Sequence, residues 1–116
     1  MKYRVAVVAV AWLLAGCTGQ SEGFLHLLAL ASADNLEAQI TLAHAYADPA
    51  GFPGRGPTQP NGREAAKWCY IAMAKHPLVA DKPCADVLTT LSPQDRAWGL
   101  GEASDWMVGQ NADVVD

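Results

Sequence analysis

The side chains with chemistry of their own fall into two groups in this chain of 116 residues. His44, Tyr46 and Asp48 end a helical segment beside a proline-rich loop, where a small hydrolase or an enzyme subunit could use them for proton transfer. Cys69 and Cys84 form the second group. No Ser-His-Asp ordering, paired-carboxylate site or His-Glu-x-x-His motif stands out, so the sequence predicts no catalytic residue, no cofactor and no metal ligand.

The N-terminus has the charge, length and order of a secretory signal peptide. Lys2 and Arg4 precede an apolar run from Val5 to Ala15, which is too short to span a membrane comfortably. The run ends in Leu14-Ala15-Gly16-Cys17, which resembles the lipobox of bacterial lipoproteins. The resemblance implies that residues 1–16 are removed and that Cys17 is lipidated on sulfur; the alternative is an ordinary signal peptide with an incidental cysteine.

Removal of the leader makes the mature chain acidic. Loss of Lys2 and Arg4 leaves six Lys and Arg residues against twelve Asp and Glu residues, a formal charge of −6. Nucleic acid is therefore not an expected partner, because its binding needs a cationic surface. Residues 17–23 are small and polar and form a lipidated tether. The absence of Asp after the cysteine, at Thr18, resembles lipoproteins of the outer membrane that face the periplasm.

Two cysteines remain once Cys17 carries lipid. In an oxidising compartment Cys69 and Cys84 are expected to pair as a disulfide. Closing a loop of about 15 residues would contribute about 3 kcal/mol on the chain-entropy model. The alternative is a metal site of Cys69, His76 and Cys84, which lacks a fourth ligand at the usual zinc spacing.

A helical hairpin is predicted for residues 35–74. In its first arm Leu36, Ile40 and Ala43 recur at helical spacing, and the second arm, residues 61–75, combines alanines with Trp68. Small residues let a neighbouring helix approach while the indole fills the remaining volume. Asp34 or Asn35 is expected to cap the first arm, and Asn61 the second.

The hairpin resembles a Sel-one-like repeat, a relative of the tetratricopeptide repeat. The resemblance covers residues 35–74 and is carried by Glu37-Ala38-Gln39, Leu42, Tyr46, Ala65-Ala66-Lys67-Trp68 and Ala72-Met73-Ala74. It implies an α/α superhelix that binds proteins or peptides on a concave face, without catalytic residues. The loop of residues 48–60 departs from the family, being longer and richer in proline.

Flanking helices are expected to cap this hairpin, because about three stacked repeats are usually needed to bury such faces. The first cap, residues 24–31, is apolar almost all round; a short helix over residues 81–91 is expected to start at Asp81, with Pro83 in its first turn. Ser92 and Pro93 start the last helix, residues 93–107. Its core-facing side is expected to hold Ala97, Leu100, Ala103 and Met107, with Trp98 or Trp106 as the capping side chain and Gly99 and Gly101 at close approaches.

The sequence thus predicts an all-α fold, a short α/α superhelix fragment over residues 24–107, followed by a flexible acidic tail over residues 108–116. The expected function is a lipid-anchored envelope adaptor, not an enzyme, that presents a helical surface to another envelope protein or peptide. An enzyme with a site near His44, Tyr46 and Asp48 is one alternative. The other is a structural protein whose helix at residues 24–31 contacts lipid.

Overall fold

The structure, a computed structural model, describes the backbone of residues 22–115 and the side chains up to residue 110. This part of the chain forms five α-helices and no strand, so the predicted all-α class is confirmed for it. The helices are α1 (Glu22–Ser32), α2 (Leu36–Ala47), α3 (Gly62–Lys75), α4 (Pro77–Leu88) and α5 (Pro93–Val115), with a 3₁₀ turn at Pro49–Gly51. The predicted leader and the lipidation of Cys17 lie outside the described residues.

Helix α3 is the centre of the fold and packs against α2, α4 and α5. It runs antiparallel to α2: near one end the Asn61 amide donates to the Tyr46 carbonyl at 2.8 Å, and at the other Lys75 Nζ lies 2.9 Å from Asp34 Oδ2. Trp68 and Ile71 of α3 are buried in the core, facing away from solvent. The predicted helical hairpin is therefore present.

The predicted N-caps are confirmed at three helices. Side-chain oxygens of Asn35, Asn61 and Ser92 accept the amides of Ala38, Glu64 and Asp95 at 2.9, 3.2 and 3.1 Å. Such bonds satisfy amides that have no partner within the helix.

The predicted start of the fourth helix is wrong. Helix α4 begins at Pro77 rather than at Asp81, and Pro83 lies inside it. Pro77 occupies the first helical position, where a missing N–H costs nothing. In the predicted helix, by contrast, Pro83 is in the first turn.

The predicted core-facing side of α5 is confirmed only in part, at Ala103 and at Met107, which packs against the core. Gly99 and Ala103 are buried, whereas Ala97 and Leu100 are exposed. A Cβ atom on Gly99 would overlap that of Ala66 and lie 2.7 Å from the Lys67 backbone nitrogen, so the absence of a side chain sets the rotation of the helix. The predicted close approach is confirmed there and is wrong at Gly101, which faces open space.

The helix also extends to Val115, beyond the predicted end at Met107. Beyond Met107 the apolar pattern of the sequence fades, although the backbone stays helical. The sequence therefore placed the end of the helix too early.

The helices form two layers. Helices α3 and α5 are parallel, since Arg63 Nε lies 3.7 Å from Asp95 Oδ1 near their starts and Lys75 Nζ lies 3.3 Å from Gln110 Oε1 near their ends. Helices α2 and α4 pack against each other in the second layer. Helix α2 packs against α1, α3 and α4, and α3 packs against α2, α4 and α5. Such packing of neighbouring helices is the pattern of stacked helical repeats.

Both predicted caps contact the hairpin. On one side, the buried Phe24 ring of α1 meets Tyr46 and Phe52 edge to face, with centroids 5.8 and 5.5 Å apart. On the other side, Trp106 of α5 meets Trp68 at 5.9 Å. The loop is thus folded back by Phe52. Within residues 22–115, no helix has the length and apolarity needed to cross a membrane.

Candidate functional site

An exposed ridge on α2 separates two hollows in the surface. The ridge consists of Thr41, His44 and Asp48, which helical spacing places on one face. The loop hollow lies on one flank, with a volume of about 260 Å³; the α4 hollow, of about the same volume, lies on the other. The loop hollow is lined by Thr41, His44, Ala45, Asp48, Gly51, Phe52 and Pro53, and the α4 hollow by His44, Ala47, Asp48, Asp86, Val87 and Thr90.

His44 is oriented by the backbone of its own helix. Its Nδ1 lies 2.9 Å from the Ile40 carbonyl oxygen, which can only accept, so Nδ1 carries the proton and Nε2 is left for a partner. In a catalytic triad a carboxylate would hold this nitrogen. Asp48 instead ends the helix, and its amide donates to the His44 carbonyl at 2.9 Å.

The Asp48 carboxylate lies beside the 3₁₀ turn. A Cβ atom on Gly51 would come within 3.2 Å of Asp48 Oδ2. Asp48 therefore stands at the junction of α2 and the loop, where it lines both hollows.

Tyr46 does not join His44 and Asp48. Its ring packs against Phe24 and is half-buried. The pKa of the Tyr46 hydroxyl is raised above its ordinary value. Burial is the larger cause, and the negative charge of Glu64 is the smaller one. The structure thus brings together two of the three residues proposed for the alternative enzyme site and assigns the third to an aromatic cluster.

Cys69 and Cys84 are brought together between α3 and α4. Both are buried free thiols, and Cys69 Sγ donates to the Cys84 carbonyl at 3.8 Å. The neighbouring Cys84 thiol, and then burial, raise the pKa of Cys69, whereas the Cys69 thiol lowers the pKa of Cys84. The disulfide itself stays a prediction.

The residues of the alternative metal site are not equivalent in their surroundings. His76 is exposed at the junction of α3 and α4, whereas both cysteines are buried. Among the described side chains, no group of three or more His, Cys, Asp and Glu residues is arranged to hold a metal ion.

The cations of α3 are engaged by acidic and aromatic side chains. Arg63, Lys67 and Lys75 lie 5.5, 4.8 and 5.6 Å from the ring centroids of Trp98, Trp68 and Trp106. The same three side chains form ion pairs with Asp95, Glu64 and Asp34, at 3.7, 3.6 and 2.9 Å. Each cation of α3 is therefore paired with a carboxylate, whereas Glu102 and Asp105 of α5 are in none of these pairs.

Sequence reasoning missed the far wall of the α4 hollow. Asp86, Val87 and Thr90 follow the ridge by some forty residues in the chain and reach it because α2 and α4 pack side by side. The helix predicted over residues 81–91 contained all three, but no local signal placed them opposite His44. Sequence reasoning also missed Gln39, a wholly buried side chain whose Nε2 donates to the Ala31 carbonyl at 3.1 Å and so fixes the turn between α1 and α2.

Comparison of the chain with protein-family models, with curated proteins and with solved structures gave no match. The site is therefore interpreted from its own geometry.

Proposed function

We propose that the protein is a lipid-anchored adaptor of the bacterial cell envelope that binds another protein or a peptide on its helical surface, in the manner of Sel-one-like repeats. The observation that carries the proposal is the open surface of the α2–α4 layer, where the two hollows share His44 and Asp48 in their linings. We call the ridge together with its two hollows the groove. Concave grooves along stacked helices are the usual binding surfaces of repeat proteins. The proposal includes an outer-membrane location facing the periplasm.

The orientation of His44 supports an adaptor more than an enzyme. A backbone carbonyl, not Asp48, holds its imidazole, and Tyr46 lies in the aromatic cluster. The proposed enzyme residues therefore lack the mutual contacts by which a base is oriented and a nucleophile activated. A binding groove needs no such contacts.

The proposed lipid anchor limits where the domain can be. Five residue steps separate Cys17 from Glu22, the first residue of α1. A fully extended chain covers about 3.5 Å per residue, so the start of α1 would stay within about 17 Å of the membrane surface. Such a tether brings the groove close to other envelope proteins.

Site-specific photo-crosslinking in cells tests the adaptor. A photoreactive phenylalanine analogue at Thr41 is expected to give a discrete adduct with a partner, because this side chain lines the loop hollow. The same analogue at Ser104, an exposed position on α5, serves as the control. Equal adducts from Thr41 and Ser104 would contradict the proposal. So would the absence of an adduct both from Thr41 and from Thr90, which lines the α4 hollow.

A second candidate is lipid contact through α1, and the exposure of its leucines favours it. Leu25 and Leu30 are 51% and 37% exposed on a helix whose titratable residues are Glu22 and His26. Binding of the mature Cys17→Ser protein to phosphatidylethanolamine and phosphatidylglycerol vesicles tests this candidate. It predicts a loss with Leu25→Ser and none with Leu100→Ser, a matched control that is also 51% exposed. No vesicle binding by the Cys17→Ser protein would remove it.

A further inference from the structure

We propose that the groove on the α2–α4 layer selects a basic peptide segment, in which a Lys or Arg side chain meets Asp48 and a neighbouring apolar side chain enters the loop hollow. The inference rests on the proposed adaptor function and adds the chemistry of the partner. The observations that carry it are the exposed carboxylates beside the two hollows and the apolar lining of the hollows.

Five of the six cations of the mature chain are already engaged. Arg63, Lys67 and Lys75 are paired on α3, and Arg96 donates to the carbonyls of Leu88 and Leu91 at 3.1 and 3.2 Å. The fifth, Lys82, lies 3.6 Å from Asp86. The sixth, Arg55, is an exposed residue of the loop. Among the carboxylates outside these ion pairs, Glu102 and Asp105 lie on α5, and Asp48 is the one that lines both hollows.

The exposed face of α2 is acidic at both ends. Glu37 precedes Thr41, His44 and Asp48 on the same helical stripe, and all four are exposed. Eleven helical steps of 1.5 Å place the two carboxylates about 16 Å apart along the helix axis. Across the α4 hollow, Asp86 faces the same space. Its pair with Lys82 joins two highly exposed side chains, and such pairs are weak and easily exchanged for another cation.

The floors of the hollows are apolar. Ala45, Phe52 and Pro53 line the loop hollow, and Ala47 and Val87 line the α4 hollow. Apolar floors with a few polar groups at the rim suit a peptide that alternates charged and apolar side chains. An acidic peptide would place its carboxylates against Asp48, and the linings of the two hollows contain no Lys or Arg side chain to pair with them.

Selection from a randomised decapeptide library displayed on phage tests the inference, with the full mature lipoprotein immobilised in detergent micelles. Enriched peptides are expected to place Lys or Arg next to Leu, Phe or Trp. A synthetic copy of one enriched peptide is then measured by fluorescence anisotropy. Its affinity is expected to fall about fivefold for Asp48→Asn and to weaken as salt is raised. Asp105→Asn, the same change of charge on α5, is the matched control and should leave the affinity unchanged.

Three outcomes would overturn the inference: enrichment of acidic peptides, no enrichment, or equal loss with both variants. A concentration-dependent dimer that Asp48→Asn dissociates would assign the groove to a second copy of this chain and overturn it too. The photo-crosslinking from Thr41 separates this failure from failure of the adaptor itself. A crosslinked partner together with acidic library peptides would keep the adaptor and reject its preference for basic segments.

Discussion

The two helix layers of this small domain are built on opposite principles. Between α3 and α5 the backbones touch at Gly99 and Ala66, and Trp106 packs against Trp68. Between α2 and α4 the surface stays open, with two hollows on either side of an exposed ridge. Close packing stabilises a fold, whereas an open concavity leaves surface for a partner. The α3–α5 layer therefore stabilises the fold, and the open layer is the one to which we assign the proposed recognition.

The largest expected effect on folding comes from deleting α5, one of the two helices of the tightly packed layer. Deletion of residues 93–116 would expose the face of α3 that carries Trp68. We expect aggregation or loss of cooperative melting, measured by circular dichroism and light scattering. A truncated monomer that melts cooperatively at the wild-type temperature would instead make α5 a separate arm available for binding.

A smaller effect is expected from Cys69 of α3 and Cys84 of α4, whose predicted disulfide would link the two layers. In oxidised protein, Cys69 and Cys84 each lose a proton and together give two electrons to an exchanging disulfide. Mass spectrometry after alkylation under denaturing conditions should find neither cysteine modified. Reduction should then lower the free energy of unfolding by about 3 kcal/mol.

The control for this prediction is the Cys69→Ala, Cys84→Ala double variant, whose stability should not respond to reductant. Alkylation of both cysteines in oxidised wild-type protein would show that the buried pair stays as thiols. The link between the layers would then be noncovalent.

The glycine contact can be tested with a matched pair of substitutions on α5. Gly99→Ala is expected to lower the free energy of unfolding by about 1–3 kcal/mol, because the added methyl group meets the α3 backbone. Gly101→Ala faces open space and is expected to raise it by about 1 kcal/mol through helix propensity. Urea unfolding measures both. Equal effects of the two changes would mean that the contact does not set the rotation of α5.

The smallest effect on stability is expected at the ridge. Thr41→Trp and Asp48→Asn change exposed side chains in the open layer and should alter the free energy of unfolding by no more than about 0.5 kcal/mol. The same urea experiment applies. A loss well above that value would show that the ridge supports the fold, and would weaken the division of roles between the layers.

Local signals in the sequence predicted the hairpin well, because caps and helical periodicity depend on neighbouring residues. Asn35, Asn61 and Ser92 cap their helices as expected. The rotation of α5 was not predictable in this way, since a buried glycine has no side chain to register in an apolar pattern. Both Pro77 and Pro83 are compatible with the first turn of a helix, so the start of α4 depends on its packing against α2 and α3.

The candidate site was predictable only in part for the same reason. His44 and Asp48 are one helical turn apart, so their shared face follows from spacing. Asp86 and Thr90 reach them through the packing of α2 against α4. Tyr46 is closer to His44 in the sequence than Asp86 or Thr90 is. Its ring nevertheless lies away from the ridge, because it packs against Phe24.

The placement of the tryptophans has an optical consequence. Once Trp12 has left with the predicted leader, Trp68, Trp98 and Trp106 remain, and all three lie on α3 and α5. Intrinsic fluorescence therefore reports on one layer only. Detachment of α5 would change the emission of the Trp68–Trp106 pair without any label, whereas a ligand in the groove has no tryptophan of α2 or α4 to perturb. The Thr41→Trp substitution would give the α2–α4 layer a tryptophan fluorescence signal of its own.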